Sequence, residues 1–246
     1  MKCTLPLALT FLTVLPWFRF GEITAADLAR SLFWFPWVGG LLGLIYWAAG
    51  SGMSHYFPAP AAAALLLTLT VLLTRGLHLD GLADTVDGLG GGRNPEERLA
   101  IMKDSRLGAF GAISLVLVLL LKYAFFLVLF ERGLTPSLVL FPIISRWGIV
   151  VLTGLGPYAR PGGGLGQAMT EGATPGLITG STLAALLFSF LAGGYKGPVS
   201  LPLAALVVWG ASRYFRRRLG GVTGDVYGAM NEILETLVLG LTVLWG

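Results

Sequence analysis

Long unbroken apolar runs separated by short polar segments dominate this chain. Stretches at 32–50, 58–74, 109–130, 135–153, 174–192, 198–215 and 226–245 each come near the roughly 17–25 residues an α-helix needs to cross a bilayer. Apolar residues do not alternate with polar ones as in a lipid-facing strand, which excludes a transmembrane β-barrel. Backbone in hydrocarbon must satisfy its own hydrogen bonds, so the runs predict helices. The expected fold is all-α, a polytopic bundle of about seven spans forming one domain over 1–246.

The charged minority orients that bundle. Basic residues fall in the N-terminal arm (Lys2, Arg19, Arg30), in 75–108 (Arg75, Arg93, Arg98, Lys103, Arg106), in 154–173 (Arg160) and in 213–225 (Arg213, Arg216, Arg217, Arg218). The alternate connections hold at most one, Arg132 or Lys196. Seven spans with a cytoplasmic N-terminus satisfy the positive-inside rule, and they place every chemically interesting segment on the cytoplasmic face. The chain is 55% hydrophobic and 12% charged, against roughly 25% charged in soluble domains, so its apolar surface belongs in lipid. The net charge of +4 then reflects topology and gives no reason to expect nucleic acid. Cys3 is the single cysteine, which excludes an internal disulfide and a multi-cysteine metal site. Residues 1–18 have the charge and apolarity of a signal peptide. They lack a small-residue cleavage signature and are interrupted by Pro6 and Pro16, so a retained interfacial segment with Trp17 and Phe18 at the headgroups is expected.

Between the second and third runs lies HLDGLADTVDGLGGGRNPEERLAIMKDSRLGAFG, which holds six of the thirteen acidic residues. Asp80, Asp84 and Asp87 fall at i, i+4 and i+7, within about 60° of one another on a helix. Three carboxylates on one stripe repel unless a cation lies between them, and hard oxygen donors suit Mg²⁺ completed by water and substrate phosphates. Asp104 is the natural fourth carboxylate. Asn94 as cap, Pro95 at the first position and Glu96 and Glu97 in the first turn predict a helix over 95–106, with Lys103 and Arg106 on one side for phosphate oxygens. Gly90-Gly91-Gly92-Arg93 reads equally as a phosphate-cradling loop or as a hinge between helices.

A second acidic group is in GGVTGDVYGAMNEILE, 220–235. Asp225 is read either as a site residue or as a helix N-cap; Glu232 and Glu235 lie deeper in an apolar helix, where carboxylates are costly and tend to be functional. Lys122 and Arg146 are charges inside apolar runs. Lys122 reads as an interhelical partner, and Arg146 is expected near the cytoplasmic end of its helix, within reach of the site. His78 reads as a satisfied imidazole.

Taken together, HLDGLADTVDGL (78–89), IMKDSRLGAFG (101–111) and GGVTGDVYGA (220–229), with FLTVLPWF (11–18) and FPWVGGLLG (35–43), resemble the cobalamin synthase family of adenosylcobinamide-GDP ribazoletransferases. The resemblance covers essentially the whole chain in order. It implies a multi-pass inner-membrane, Mg²⁺-dependent transferase that joins adenosylcobinamide-GDP to α-ribazole or its 5′-phosphate and releases GMP. By motif Asp80, Asp84, Asp87 and Asp104 match the family's acidic positions, and Lys103, Arg106 and Asp225 its other motif residues. The implied chemistry puts the four aspartates at the metal, Asp84 and Asp87 at the reacting centre, and Lys103, Arg106 and Asp225 on the substrates, with Arg146 joining them from its place in its own run and not by motif. Asp87 is the candidate acceptor of the attacking hydroxyl's proton. Glu232 receives no role. A homo-oligomer is left open.

Two other classes share parts of the pattern. DxxDG at Asp84–Gly88 opens like the motif of CDP-alcohol phosphotransferases, but LGGGR follows where that family continues differently; a prenyltransferase would carry a second Asp-rich motif. A cation- or proton-coupled transporter would place its carboxylates near the bilayer midplane and show internal repeats, and none is visible.

Overall fold

The computed structural model describes residues 4–15, 22–160, 162 and 164–246. Lys2, Cys3, Pro16, Trp17, Phe18 and Arg19 lie outside the described residues. Among those described there are twelve α-helices and no strand, only an isolated bridge between Tyr158 and Val222. The helices are α1 (Thr4–Leu12), α2 (Ala25–Ser31), α3 (Phe35–Tyr56), α4 (Ala59–Thr74), α5 (Leu77–Gly91), α6 (Pro95–Ile101), α7 (Ala109–Glu131), α8 (Leu140–Thr153), α9 (Leu165–Glu171), α10 (Pro175–Gly193), α11 (Lys196–Leu219) and α12 (Gly224–Trp245).

α8 and α12 form the centre. In the apolar window of α8, 78% of residues are buried, against 22% in α7 and in α10. The outer helices instead present Leu117, Leu120, Leu187 and Leu191 to the outside. An exterior that apolar is what a bilayer covers, since water would not tolerate so continuous a patch. α3 packs on α8 at backbone distance through Gly39 and Gly43, spaced four apart as in small-residue membrane interfaces. A Cβ on Gly39 would lie 2.2 Å from the carbonyl oxygen of Pro142, and one on Gly43 2.6 Å from that of Val139.

Among the described residues five helical segments are long and apolar enough to cross a membrane, Ala25–Tyr56, Ala109–Glu131, Thr135–Thr153, Pro175–Gly193 and Gly224–Trp245; a sixth arises if α4 and α5 count together. Two of the seven expected spans, α4 and α11, do not meet that measure alone. α4 has only 16 residues and meets α5 at an 86° bend. α11, though 24 residues long, begins at Lys196 and ends in the arginines Arg213, Arg216, Arg217 and Arg218.

The bend sets the site. Arg75 ends α4 at φ 55°, ψ 23°, the left-handed region that costs a side-chain-bearing residue about 1–2 kcal/mol, and Gly76 follows at φ 63°. The Arg75 guanidinium offsets this by donating to the carbonyls of Thr10 (2.9 Å) and Thr13 (2.6 Å) at the end of α1. α1 itself buries Leu7, Leu9 and Leu12, and its nine residues are too few to span.

Candidate active site

α5 forms as its spacing predicts, and it presents its carboxylates unequally. Asp80 is exposed, Asp84 partly buried and Asp87 buried. Gly81 explains how the helix settles so deeply: a Cβ there would lie 2.8 Å from the carbonyl oxygen of Asp225, so α5 and α12 touch backbone to backbone. That contact brings Asp225 beside the stripe. Burial, followed by the charges of Asp80 and Asp225, pushes Asp84 up to about 6 against the pull of Arg160, with a smaller push from Asp87.

Asp225 is not the N-cap of α12. The Thr223 side chain takes that role, accepting the backbone N–H of Val226, which leaves Asp225 free in the first turn to pair with Arg160. Arg160 also donates to the carbonyl of Met102 (3.2 Å), and its buried Nε has no partner. One arginine therefore joins the segment that follows α8, the end of α6 and the start of α12. From the sequence Arg160 counts only toward topology; its signal is that it is the sole basic residue of 154–173.

Two cavities meet at Asp80, Leu77 and Phe11. The outer one, about 700 Å³, is lined by Asp80, Asp84, Arg75, Thr74 and Ser105. The inner one, about 440 Å³, is lined by Asp80, Asp225, Lys103, Arg160, Tyr158 and Tyr227. His78 opens on the inner cavity; burial lowers it to about 3, so its imidazole is neutral, and its Nδ1 has no partner. The expectation of a satisfied imidazole does not hold.

Three expected site residues stand elsewhere. Asp87 accepts the backbone N–H groups of Gly108 and Gly111, both at 2.8 Å, and lines neither cavity. Asp104 and Arg106 pair with each other on the surface, the Arg106 side chain being 87% exposed. The predicted helix over 95–106 stops at Ile101, because Asp104 takes the backbone N–H of Arg106 (3.0 Å) and turns the chain. Lys103 and Arg106 thus do not share a helical face, and Lys103 alone reaches a cavity. The Arg106 partnership holds the Asp104 carboxyl down at about 2. The N-terminal half of the α6 prediction holds: Asn94 caps Glu97, and Pro95 opens the helix. Gly90 and Gly91 form the last residues of α5 and Gly92 is its C-cap, a short step before α6.

Arg146 is corrected outright. It does not approach the mouth; it is 1% exposed at the centre of the bundle and pairs with Glu235. Lys122 lies 2.5 Å from both Glu232 and Glu235. Two cations and two carboxylates balance there, and Lys122 is the interhelical partner expected of it. Asn231 adds a donor to Glu235 at 3.1 Å.

Among the described residues no three His, Cys, Asp or Glu side chains gather closely enough to hold a metal on their own. Asp80 and Asp84, one turn apart on the outer cavity, offer two carboxylates. Mg²⁺ commonly takes one or two with water and substrate phosphates for the rest, so this donor set fits a substrate-completed ion and not a cage made wholly of protein.

The described residues thus form an all-helical, strongly apolar protein in which acidic and basic groups converge on two adjoining cavities, and its relatives give the class as a membrane transferase. The chain belongs to the family described as cobalamin-5-phosphate synthase, whose model matches residues 4–243. It is similar to the adenosylcobinamide-GDP ribazoletransferase of Pseudomonas putida (strain W619), at 46% identity over 96% of this chain and 97% of that one. Proteins of the same name from Syntrophobacter fumaroxidans (43%, over 94% of each chain) and Desulfitobacterium hafniense (41%, over 95% and 93%) are also similar. No solved structure matches it.

Proposed function

We propose that this chain is itself an adenosylcobinamide-GDP ribazoletransferase, an inner-membrane enzyme whose double cavity opens on the cytoplasmic face. The observation that carries the reading is the convergence of Asp80, Asp84 and Asp225 with Lys103 and Arg160 on cavities that share Asp80. In this reading α4 and α11 also cross the membrane, giving seven spans and a cytoplasmic N-terminus. The basic segments at 75–108, 154–173 and 213–225 then share one face, as the hydrogen bonds from Arg160 to Met102 and from Arg98 to Arg218 support.

The reaction is a displacement at phosphorus. A ribose hydroxyl of α-ribazole, or of its 5′-phosphate, attacks the corrinoid-side phosphorus. A new P–O bond forms, the bridging P–O bond breaks, GMP leaves with the electron pair, and the hydroxyl proton passes to water at the mouth. Asp80 and Asp84 would hold Mg²⁺, which when bound neutralises charge on the diphosphate and its leaving group. Lys103 and Arg160 place positive charge where the departing phosphate gains negative charge. Asp87, with both oxygens engaged by backbone N–H groups, acts by holding the start of α7 in place.

The deciding test is GMP release by the purified chain in nanodiscs from adenosylcobinamide-GDP and α-ribazole. Release that requires both substrates and Mg²⁺, and that is lost on chelation, supports the reading. No release from folded protein with both substrates and the ion present overturns it.

A further inference from the structure

The two cavities differ in charge, and the difference divides the substrates between them. The outer cavity has Asp80 and Asp84 against Arg75, and Arg75 is already spent on the carbonyls of Thr10 and Thr13. It is a net anionic space, suited to a cation and, once that cation is bound, to an acceptor nucleoside with or without its phosphate. The inner cavity has Asp80 and Asp225 against Lys103 and Arg160, so an added phosphate there meets two cations. Its size, about 440 Å³, falls within the range that encloses a compact organic ligand and is too small for a corrinoid. Tyr158 and Tyr227 add aromatic rings to its wall for a flat base. Two buried polar atoms at this site have no protein partner, Nε of Arg160 and Nδ1 of His78. Buried polar groups are rarely left unpaired in a native structure, so both are capacity reserved for something that enters.

Resting on the function proposed above, we propose that the inner cavity seats the guanine nucleotide half of the donor, the part that leaves as GMP, with Arg160 binding its phosphate. Arg160 reaches that phosphate by exchanging its contact with Asp225 for one with the ligand. The acceptor nucleoside then occupies the outer cavity, and the two substrates meet at Asp80, which both spaces share.

The test is equilibrium dialysis of the full chain in nanodiscs with radiolabelled GMP, alone and against α-ribazole or α-ribazole 5′-phosphate. GMP binds, and neither acceptor displaces it. Arg160→Gln weakens GMP at least about tenfold, as loss of a charge-assisted phosphate contact does, while α-ribazole binding stays within about twofold. Arg160→Lys recovers part of the loss. Because Arg160 also ties Met102, Lys103→Gln serves as a second variant on an independent element and weakens GMP in the same direction. Competitive displacement of GMP by either acceptor overturns the assignment. So does unchanged GMP affinity in both glutamine variants. Wild-type transfer alongside either of those results sinks this inference alone, whereas absent transfer in the wild type removes the function beneath it.

Discussion

The carboxylate of Asp87 accepts the backbone N–H of Gly108 at 2.8 Å, from a different helix and 21 residues away. Gly108 is the N-cap of α7 and offers no side chain to cap it, so Asp87 supplies the missing acceptor from outside, taking Gly111 as well. Neither glycine is replaceable by a larger residue: a Cβ on either would lie 2.3 Å from an Asp87 oxygen. Asp87→Asn places an amide donor against a backbone donor and is expected to cost about 1–3 kcal/mol, read as a lower melting temperature in detergent. Transfer falls with it. Loss of transfer at unchanged melting temperature would return Asp87 to the chemistry.

Asp84 is expected to behave in the opposite way. Its folded-state carboxyl stands near 6 against an ordinary 3.8, so the native protein holds the proton more tightly than the unfolded chain does. Stability therefore declines as pH rises between those two values, and Asp84→Asn removes the decline. After discounting for solvent screening of a partly buried group, the gain at neutral pH is about 1 kcal/mol. The same substitution is expected to abolish transfer. In the wild type, protons compete with Mg²⁺, so the concentration of the ion needed for half-maximal GMP release rises as pH falls below 6. A Mg²⁺ requirement that is flat across this range would exclude Asp84 as a ligand.

What the sequence disclosed follows from the range over which each interaction acts. The α5 stripe and the Asn94-Pro95 start of α6 are local patterns, decided within one or two turns, and both appear as read. The end of α6 was misread because an Asp104–Arg106 turn competes with helix continuation at no cost in propensity. The burial of Arg146 and the pairing of Arg160 are not legible locally because their partners, Glu235 and Asp225, lie 89 and 65 residues away. Nothing in local spacing distinguishes an arginine bound for the core from one bound for a cavity. Asp87 shows the same limit from the other side, since one stripe on one helix face divides between a cavity and a neighbouring helix.

The buried group of Lys122, Glu232, Glu235 and Arg146 is a balanced set whose members depend on one another. Lys122→Met leaves Glu232 without its cation and Glu235 with Arg146 alone, and is expected to cost about 3–5 kcal/mol. Adding Glu232→Gln to that variant is expected to recover a substantial part of the loss. Denaturant titration in mixed micelles measures both. Full stability in Lys122→Met would mean that the charges are not coupled.

Two adjacent glycines of α3 make an internal control for helix packing. A Cβ on Gly39 collides with the Pro142 backbone at 2.2 Å, whereas one on Gly40 meets only an Ile143 side-chain carbon at 3.9 Å. Gly39→Ala is expected to separate α3 from α8 and cost about 1–3 kcal/mol, and Gly40→Ala to be neutral or slightly stabilising. Comparable melting temperatures for the two variants would show that the interface yields.

Arg75 is a hinge pin answerable to another part of the chain: its guanidinium reads the carbonyls of α1, and its backbone aims α5. Lengthening or shortening the segment between α1 and α2 would withdraw the carbonyls that brace the Arg75 turn and so reshape the outer cavity, while α5 stays seated on α12. Damage at the amino end would therefore surface first as lost catalysis in a protein that still inserts and purifies normally.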